Sequence, residues 1–465
     1  MEIFYVVMKK SAEKFNNTLD FVNSIIRGGT CSGCGLCVGL DESGKSNMVE
    51  TPKGPRPLLD SKSKIPNIIF FSCAGYLIDY PKLYKSYYGN YPKSWLIGET
   101  KGVYTGYSNN LSIRKNSSSG GIITQVLLYL LNKKKIDGAI VVKQGIPSPE
   151  KARVIIANNE EEIISASQSI YIPVSILDIL NRLENDKAYA ITCLPEQSAA
   201  IRILQTLGYS KALQIKYVLG PYTGTALYPQ AIETYKKIKG IKKNDETKSL
   251  KWRAGEWPGY LEIITGSGKI LRSPKVYYNF LIPFFITNSS LQSMDFTNEF
   301  ADLSVGDAWS PVFEKQGKGF SVVVSRTIEM DSILLEMQEQ NLINLNKEEE
   351  AVASSMHGHM IDFKKRGGYI RNKLRSFFGL HAPEYGYRPI KIPLSRYLVE
   401  LVISTVFICG RLRVFRFILF IIPETFLGPL FNMTRLGWKK LSRPVKRKGL
   451  RNFNVAFTIH NKNRS

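Results

Sequence analysis

Three closely spaced cysteines constrain this chain more than any other feature of its sequence. Cys31, Cys34 and Cys37 form a C-x2-C-x2-C run, and the small residues between them allow the tight turn that brings three thiolates to one side of a cluster. A cubane cluster needs a fourth ligand, which is often remote in sequence, and Cys73 is the only other cysteine nearby. The run therefore predicts one [4Fe-4S] cluster held by these four cysteines.

Two alternatives to a redox cluster stay open at this stage. Zinc also accepts four thiolates, although its sites more often pair one C-x2-C with a second, and no second pair occurs here. A cluster could also serve only to hold the segment folded, because residues 31–100 show little hydrophobic periodicity. The start MEIFYVVMKK has no apolar core with a cleavage site, so we expect a cytoplasmic protein, in which cysteines are more often ligands than disulfides.

From about residue 101 the pattern changes to alternating strands and helices. The apolar runs IITQVLLYLL and QSAAIRILQTL are typical of helices, and the β-branched runs GAIVVK, KAYAITCL, LQIKYVLG, ADLSVGDAW and GFSVVVSRT are typical of strands. Strands that alternate with helices predict an α/β (α+β) core. We expect three parts: an iron–sulfur domain at residues 1–100, the core at 101–390 and an apolar and basic helical extension at 391–465.

A serine–glycine loop stands directly before the first helix of the core and consists of Ser117, Ser118, Ser119, Gly120 and Gly121. Hydroxyls and bare backbone N–H groups at a helix N-terminus make a site suited to a pyrophosphate. Serines also cap helices without binding anything, and this reading stays open on the loop alone.

The order of these segments resembles the beta-subunit family of coenzyme F420 hydrogenases and dehydrogenases. The resemblance rests on CSGCGLC, SSSGG, GAIVVK, LPEQSAA, WPGYLEI, ADLSVGDAW and GFSVVVSRT, and runs from about residue 31 to about residue 326. It implies a flavin-binding α/β core that holds FAD beside a small ferredoxin-like cluster domain. Electrons would pass between cluster and flavin, and between flavin and a reducible substrate or coenzyme F420. Similar members occur among bacterial and archaeal polysaccharide-biosynthesis proteins, so a glycan substrate is a further expectation.

The resemblance also assigns residues. The four N-terminal cysteines match the family's first cluster, and the serine–glycine loop matches its flavin-contacting loop. The other matched cofactor-binding residues are Pro195 and Gln197 of a Pro-Cys-Gln turn, and Gly306 and Asp307 of a Gly-Asp pair.

The departures concern a second cluster that some members carry. Its cysteine in the Pro-Cys-Gln turn is Glu196 here, and its C-x2-C pair is Ser290 and Ser293. Its remaining cysteine falls within residues 220–223, GPYT, which contain no thiol. Because serine hydroxyls stay protonated and ligate iron poorly, we expect only the first cluster.

An oxidoreductase loaded by ferredoxin or an equivalent donor follows from these assignments. Glu196 is a candidate catalytic proton donor, although a solvated carboxylate is the simpler reading of its sequence. His357 and His359 are further acid–base candidates, and their spacing favours a solvated loop over a metal site. The alternative function is a non-catalytic adaptor or docking subunit that keeps the fold and the cluster only to bind partners.

The net charge of +24 indicates an anionic partner, and much of the excess lies at the C-terminus. Two apolar runs within residues 394–432 are each shorter than a simple membrane span and are separated by Arg411, Arg413 and Arg416. No acidic residue follows Glu424, whereas many basic residues do. This combination predicts peripheral attachment to an anionic membrane surface and makes nucleic acid the less favoured partner.

Overall fold

The computed structural model describes residues 15–274, 279–444 and 453–458 of the chain. Residues 1–14 and several basic residues of the C-terminus lie outside the described residues, among them Lys446, Arg447, Lys448 and Arg451. The N-terminal segment consists of short elements: α1 (Thr18–Arg27), α2 (Leu36–Gly39), β1 (Asn47–Thr51), β2 (Gly54–Leu58), α3 (Ile69–Ser72) and α4 (Tyr80–Tyr87). Strands β1 and β2 pair antiparallel.

The core alternates strands and helices for most of its length. Its elements up to residue 238 are β3 (Gly102–Ser108), α5 (Leu111–Asn116), α6 (Ile122–Asn132), β4 (Gly138–Gln144), β5 (Ala152–Ala157), α7 (Glu160–Ser165), a 3-10 helix (Leu177–Arg182), β6 (Tyr189–Thr192), α8 (Pro195–Thr206), α9 (Ser210–Leu213), β7 (Ile215–Pro221) and α10 (Gln230–Ile238).

The second half of the core begins with three strands that form a separate antiparallel sheet. Its elements are β8 (Thr247–Ala254), β9 (Tyr260–Thr265), β10 (Ile270–Pro274), a 3-10 helix (Asn279–Leu281), α11 (Ile282–Phe285), α12 (Asn288–Gln292), β11 (Leu303–Asp307), α13 (Pro311–Gln316), β12 (Ser321–Ser325), α14 (Ile328–Glu339), β13 (Ile343–Lys347), α15 (Glu350–Asp362), a π-helical stretch (Phe363–Gly368) and α16 (Tyr369–Phe377).

The C-terminal extension is mainly helical, as predicted. It contains α17 (Leu394–Arg411), α18 (Arg413–Ile421), α19 (Glu424–Pro444) and β15 (Val455–Phe457), and β14 (Tyr387–Pro389) lies just before it. Strands β14 and β15 pair with each other. Among the described residues, no helix combines the length and the apolar character that crossing a membrane requires.

An eight-stranded mixed sheet forms the centre of the protein, in the order β13-β3-β12-β11-β7-β6-β4-β5. The four strands β4, β6, β7 and β11 run parallel, and the strands on either side of them pair antiparallel. Every core helix and strand predicted from the sequence is present. The carboxyl ends of neighbouring parallel strands share one edge, which is where open α/β sheets place their ligand sites.

Both faces of the central sheet are covered, which explains its nearly continuous apolar strands. On β4, Ile140 faces one core with Phe21 of α1, whereas Ala139 and Val141 face another core with Val126 of α6. The N-terminal segment therefore covers one face of the sheet and shares its core. The division of the chain at residues 100 and 390 into separate domains remains a prediction.

Candidate functional site

The four predicted cluster cysteines lie close together on the N-terminal segment. Cys31 and Cys34 precede α2, Cys37 lies within it, and Cys73 directly follows α3. A backbone N–H donates to each sulfur: those of Gly33, Leu36 and Val38 to the first three cysteines, and those of Gly75 and Tyr76 to Cys73. Such N–H groups stabilise sulfur ligands that carry negative charge, and they tune the potential of a bound cluster.

Burial raises the pKa of all four thiols, to about 11 at Cys34. Repulsion from Cys31 and Cys34 raises the pKa of Cys37 and Cys73 further, which places the four sulfurs within one electrostatic neighbourhood. A positively charged metal centre removes this cost, because a coordinating thiol is deprotonated outright.

Within the described ranges, no group of three or more His, Cys, Asp or Glu side chains is arranged to hold a single metal ion. A cubane cluster does not need such a group, because each of its irons takes one thiolate. Four thiols from two short segments, one buried and three partly buried, each with a peptide N–H on its sulfur, are a donor set that fits the predicted [4Fe-4S] cluster.

Glycine allows the cysteine loop to approach the core closely. Gly35 has a φ of +85°, and a Cβ at this position would lie 2.2 Å from Ser175 Oγ. The carbonyl oxygen of Cys34 accepts hydrogen bonds from the N–H groups of Ile176 and Leu177, at 3.1 and 2.8 Å. These hydrogen bonds fix the cysteine loop to the start of the 3-10 helix at Leu177–Arg182.

The loop that follows α2 is organised by one carboxylate. Asp41 accepts hydrogen bonds from the backbone N–H groups of Ser43, Ser46 and Lys64 at 2.7–3.1 Å. Burial alone would raise the pKa of Asp41, but the hydrogen bond from the Ser43 hydroxyl and those from the backbone N–H groups outweigh it and hold the pKa well below the ordinary range. Asp41 thus ties together both ends of the segment between α2 and α3.

The serine–glycine loop lies between α5 and α6, and its polar groups are largely engaged within the protein. Ser117 Oγ donates to the carbonyl oxygen of Ile113, and Ser119 Oγ donates to that of Phe320, both at 2.7 Å. The sequence predicts bare N–H groups here, yet the N–H of Gly120 donates to Ser321 Oγ at 2.9 Å. The prediction of bare groups is wrong at Gly120, because β12 passes directly beside it.

Ser118 differs from the other two serines. Its hydroxyl oxygen accepts the N–H of Ser169 at 2.7 Å, so its proton can be donated to a ligand oxygen. Its carbonyl oxygen accepts a hydrogen bond of 2.7 Å from Nη2 of Arg253 on β8. Gly121 adopts a φ of +80° where the loop enters α6.

Arg253 links the serine–glycine loop to the predicted Gly-Asp pair. Its Nη1 lies 3.3 Å from Oδ2 of Asp307, at the end of β11. Asp307 Oδ1 also accepts a 3.3 Å hydrogen bond from Trp257 Nε1, and the rings of Trp257 and Trp309 pack with centroids 4.7 Å apart. The structure thus brings Ser118 and Asp307 to one corner, with a cation and two partly exposed indoles that the sequence motifs do not identify as site residues.

The other side of this corner is formed by α15. His357 is buried on this helix, and its Nε2 lies 2.7 Å from the carbonyl oxygen of Asp307. The predicted solvated loop at His357 and His359 is therefore wrong, since both residues are helical. A Cβ on Gly306 would lie 2.4 Å from the ring of Tyr222, so this glycine permits the close packing of Tyr222 against β11.

Pro195 and Gln197 begin α8, at the carboxyl end of the neighbouring strand β6. The amide oxygen of Gln197 accepts the N–H of Leu194 at 2.8 Å, which closes the first turn of the helix. Pro195 occupies the first helical position, where its missing N–H costs nothing. Both residues therefore have a structural role in starting α8, and their contact with a cofactor remains a prediction.

Glu196 lies between them and forms a second polar centre with Lys364. Glu196 is half-buried, and its Oε1 is fully buried without a hydrogen-bond partner in the part of the chain that the structure describes. Burial raises the pKa of Glu196, and the nearby Lys364 ammonium and Ser293 hydroxyl offset part of this effect. The simple solvated carboxylate that the sequence allowed is therefore wrong.

Lys364 belongs to the π-helical stretch and is 1% exposed. Its Nζ donates to the carbonyl oxygen of Ser290 at 2.8 Å, and burial lowers its pKa while Glu196 acts in the opposite direction. The resemblance aligns Glu196, Ser290 and Ser293 with lost cluster ligands. The Lys364 ammonium donates to Ser290 and lies near Glu196, and the Ser293 hydroxyl lies beside Glu196.

Comparison with known proteins places this arrangement in a family. Models of the N-terminal and C-terminal parts of the coenzyme F420 hydrogenase/dehydrogenase beta subunit match residues 103–181 and 186–351, more than half of the chain. The coenzyme F420-dependent sulfite reductase of Methanocaldococcus jannaschii is 27% identical over 357 residues, 71% of this chain and 49% of that protein. This chain thus spans about half the length of that relative.

Two further proteins are similar over different shares of their length. The coenzyme F420 hydrogenase subunit beta of Methanothermobacter thermautotrophicus is 24% identical over 272 residues, 55% of this chain and 87% of that subunit. A chain of the F420-reducing [NiFe] hydrogenase complex from Methanosarcina barkeri aligns with a TM-score of 0.49 and 18% identity, over 62% of this chain and 97% of that one. On the two matching family models, the chain belongs to the coenzyme F420 hydrogenase/dehydrogenase beta subunit family.

Proposed function

We propose that this protein is an iron–sulfur flavoprotein oxidoreductase that passes electrons between one [4Fe-4S] cluster and FAD. The observation that carries the proposal is the group of four neighbouring thiols, with a peptide N–H on each sulfur, that belong to Cys31, Cys34, Cys37 and Cys73. Relatives named as a coenzyme F420-dependent reductase and a coenzyme F420 hydrogenase subunit support a redox function.

The corner at the end of β11 is the proposed flavin site. Ser118 would donate its hydroxyl proton to a pyrophosphate oxygen, and Arg253 supplies a positive charge beside the loop. Asp307 holds Arg253 in place, and Trp257 and Trp309 offer apolar surface to a planar ring. A flavin bound here can exchange single electrons with a cluster and a hydride equivalent with a substrate.

Glu196 is the proposed proton donor of the reaction. Its raised pKa keeps part of the carboxyl population protonated closer to neutral pH than an ordinary glutamate, which is what a general acid requires. Lys364 lies behind it as a second buried proton-exchanging group. Glu196 follows β6 and Asp307 ends β11, and both strands run parallel to β7, so their carboxyl ends lie at the same edge of the sheet.

The electron partners are part of the same proposal. Ferredoxin or an equivalent one-electron donor would reduce the cluster, and coenzyme F420 or another reducible molecule would react at the flavin. A glycan or nucleotide-sugar substrate is the narrower form of the proposal, and it rests on the family resemblance alone. Reoxidation of the reduced protein by coenzyme F420 but by no nucleotide-sugar would refute the narrower form and retain the broader one.

Anaerobic purification with quantitation of iron, sulfide and flavin tests the proposal directly. We expect about four irons and one flavin per chain, with a flavin absorbance that bleaches on reduction. About eight irons would refute the single-cluster prediction. Iron without flavin would favour the alternative, a docking subunit that keeps the cluster for structure. The absence of both iron and flavin would refute the proposed oxidoreductase function.

A further inference from the structure

Among the described residues, the three C-terminal helices expose many large apolar side chains. On α17, Leu398, Val402 and Val406 follow one another at intervals of four residues, so they form a stripe along one side of the helix. Their side chains are 57%, 66% and 48% exposed. This is the reverse of a soluble surface helix, whose exposed side is polar.

The opposite side of α17 is fixed to the body of the protein. Arg396 and Glu400 are buried and paired with each other at 2.7 Å, and Arg396 also pairs with Asp362 at 2.7 Å. A Cβ on Gly410 would lie 2.4 Å from the carbonyl oxygen of Pro283, so the end of the helix meets the core backbone closely. With this side buried, the stripe cannot turn inward, and lipid cannot surround the helix.

The same arrangement continues along α18 and α19. Leu419, Leu427 and Phe431 pack against the core that contains Trp252 and Phe285. The outward side chains are mostly large and apolar: Val414, Phe417, Phe420, Ile421, Phe426, Leu430, Met433 and Leu436. Many large apolar side chains exposed on three consecutive helices mark an interaction site on a folded protein.

The positive charge that follows this surface in the sequence indicates which partner it binds. After Glu424 the chain contains ten Lys and Arg residues and no acidic residue. Apolar side chains on one helix face, followed by a polybasic segment, match a bilayer that carries anionic headgroups above its hydrocarbon. A second copy of this chain would bring two strongly positive surfaces together, which opposes self-association.

We propose that α17–α19 form a monotopic docking surface that lies on an anionic membrane with its apolar side in the headgroup–hydrocarbon boundary. The helices lie along the membrane and do not cross it, because their inner sides hold the body of the protein. This inference uses no residue of the cluster or flavin sites and stands independently of the proposed oxidoreductase function.

Flotation of the full-length holoprotein with vesicles tests the proposal. We expect binding to phosphatidylglycerol–phosphatidylcholine vesicles and little binding to pure phosphatidylcholine. The double variant Val402→Asp, Val406→Asp should lower the fraction bound by about tenfold or more, since each charge would enter the apolar boundary. Glutamine at Lys446, Arg447 and Lys448 should lower binding to the anionic vesicles by a similar factor and reduce its salt dependence.

The matched control is Ile328→Asp, Leu335→Asp on α14, where two exposed apolar residues lie outside the surface. This variant should bind vesicles like the parent, and all variants should keep the parental iron and flavin content. Absence of vesicle binding by the parent protein would overturn the proposal. So would a dimer in sedimentation velocity that Val402→Asp, Val406→Asp dissociates, because a second copy would then cover the face.

Discussion

Replacing Lys364 by methionine is the sharpest perturbation of the buried polar centre, because methionine keeps most of the apolar stem and removes the charge. Lys364 is 1% exposed and donates to the carbonyl oxygen of Ser290 at 2.8 Å. Lys364→Met removes a hydrogen bond from a charged donor, worth about 1.5–3 kcal/mol, and it leaves the nearby half-buried Glu196 carboxylate without a compensating charge. We expect Lys364→Met to lower the free energy of unfolding by about 3 kcal/mol.

Glu196→Gln should cost less, since Glu196 is half-buried and its Oε1 already lacks a partner. In the double variant neither charge is left uncompensated. Its loss of unfolding free energy should therefore be smaller, by about 0.5–3 kcal/mol, than the sum of the losses in the two single variants. Denaturant unfolding of the four anaerobically purified proteins, followed by circular dichroism, measures this coupling. Losses that add to within about 0.5 kcal/mol would show that Glu196 and Lys364 do not interact.

The proton on Glu196 gives an independent readout of the same pair. Because burial raises the pKa of Glu196 and the Lys364 ammonium lowers it, Lys364→Met should raise this pKa further. In infrared difference spectra, the carboxylic acid band that Glu196→Gln removes should then persist to higher pH in Lys364→Met. A band with an unchanged titration would refute the electrostatic argument even if the protein were destabilised.

Three further predictions concern the other sites. Cys37→Ser should abolish the cluster iron, whereas Cys193→Ser, at an equally buried free cysteine, should leave about four irons per chain by chemical assay. Gly120→Ala should lower the flavin content and leave the iron unchanged, because the new Cβ would lie 2.5 Å from the carbonyl oxygen of Gly106; full flavin occupancy would contradict the proposed site. Asp41→Asn should cost about 1–3 kcal/mol at neutral pH, since an amide accepts fewer of the backbone hydrogen bonds. The pKa of Asp41 is depressed in the folded state, so its contribution is present above about pH 4 and is lost as the pH falls further; unfolding measured against pH should show this acid-dependent loss in the parent and less of it in the variant.

The local features of this protein follow from its amino-acid sequence alone. The apolar run at Ile122–Asn132 can only bury its side chains as a helix, and the β-branched run at Ser321–Ser325 packs best as a strand; the structure has both. The C-x2-C-x2-C spacing fixes which three thiolates can reach one cluster, because it depends only on a short stretch of backbone. The helical character of the C-terminal extension follows from its composition in the same way.

The combination of distant segments is visible only in the tertiary structure. Arg253 lies on a different sheet from Asp307, and Lys364 lies about 170 residues from Glu196 in the sequence, so no local pattern relates either cation to its carboxylate. The sequence predicts a solvated loop at His357. This prediction is wrong because the burial of His357 depends on the packing of α15 against the end of β11, which the residues around His357 do not indicate. Likewise, the sequence of α17–α19 does not show which of their apolar residues are buried. One side of each helix is buried because it packs against the core of the protein, and the other side stays exposed.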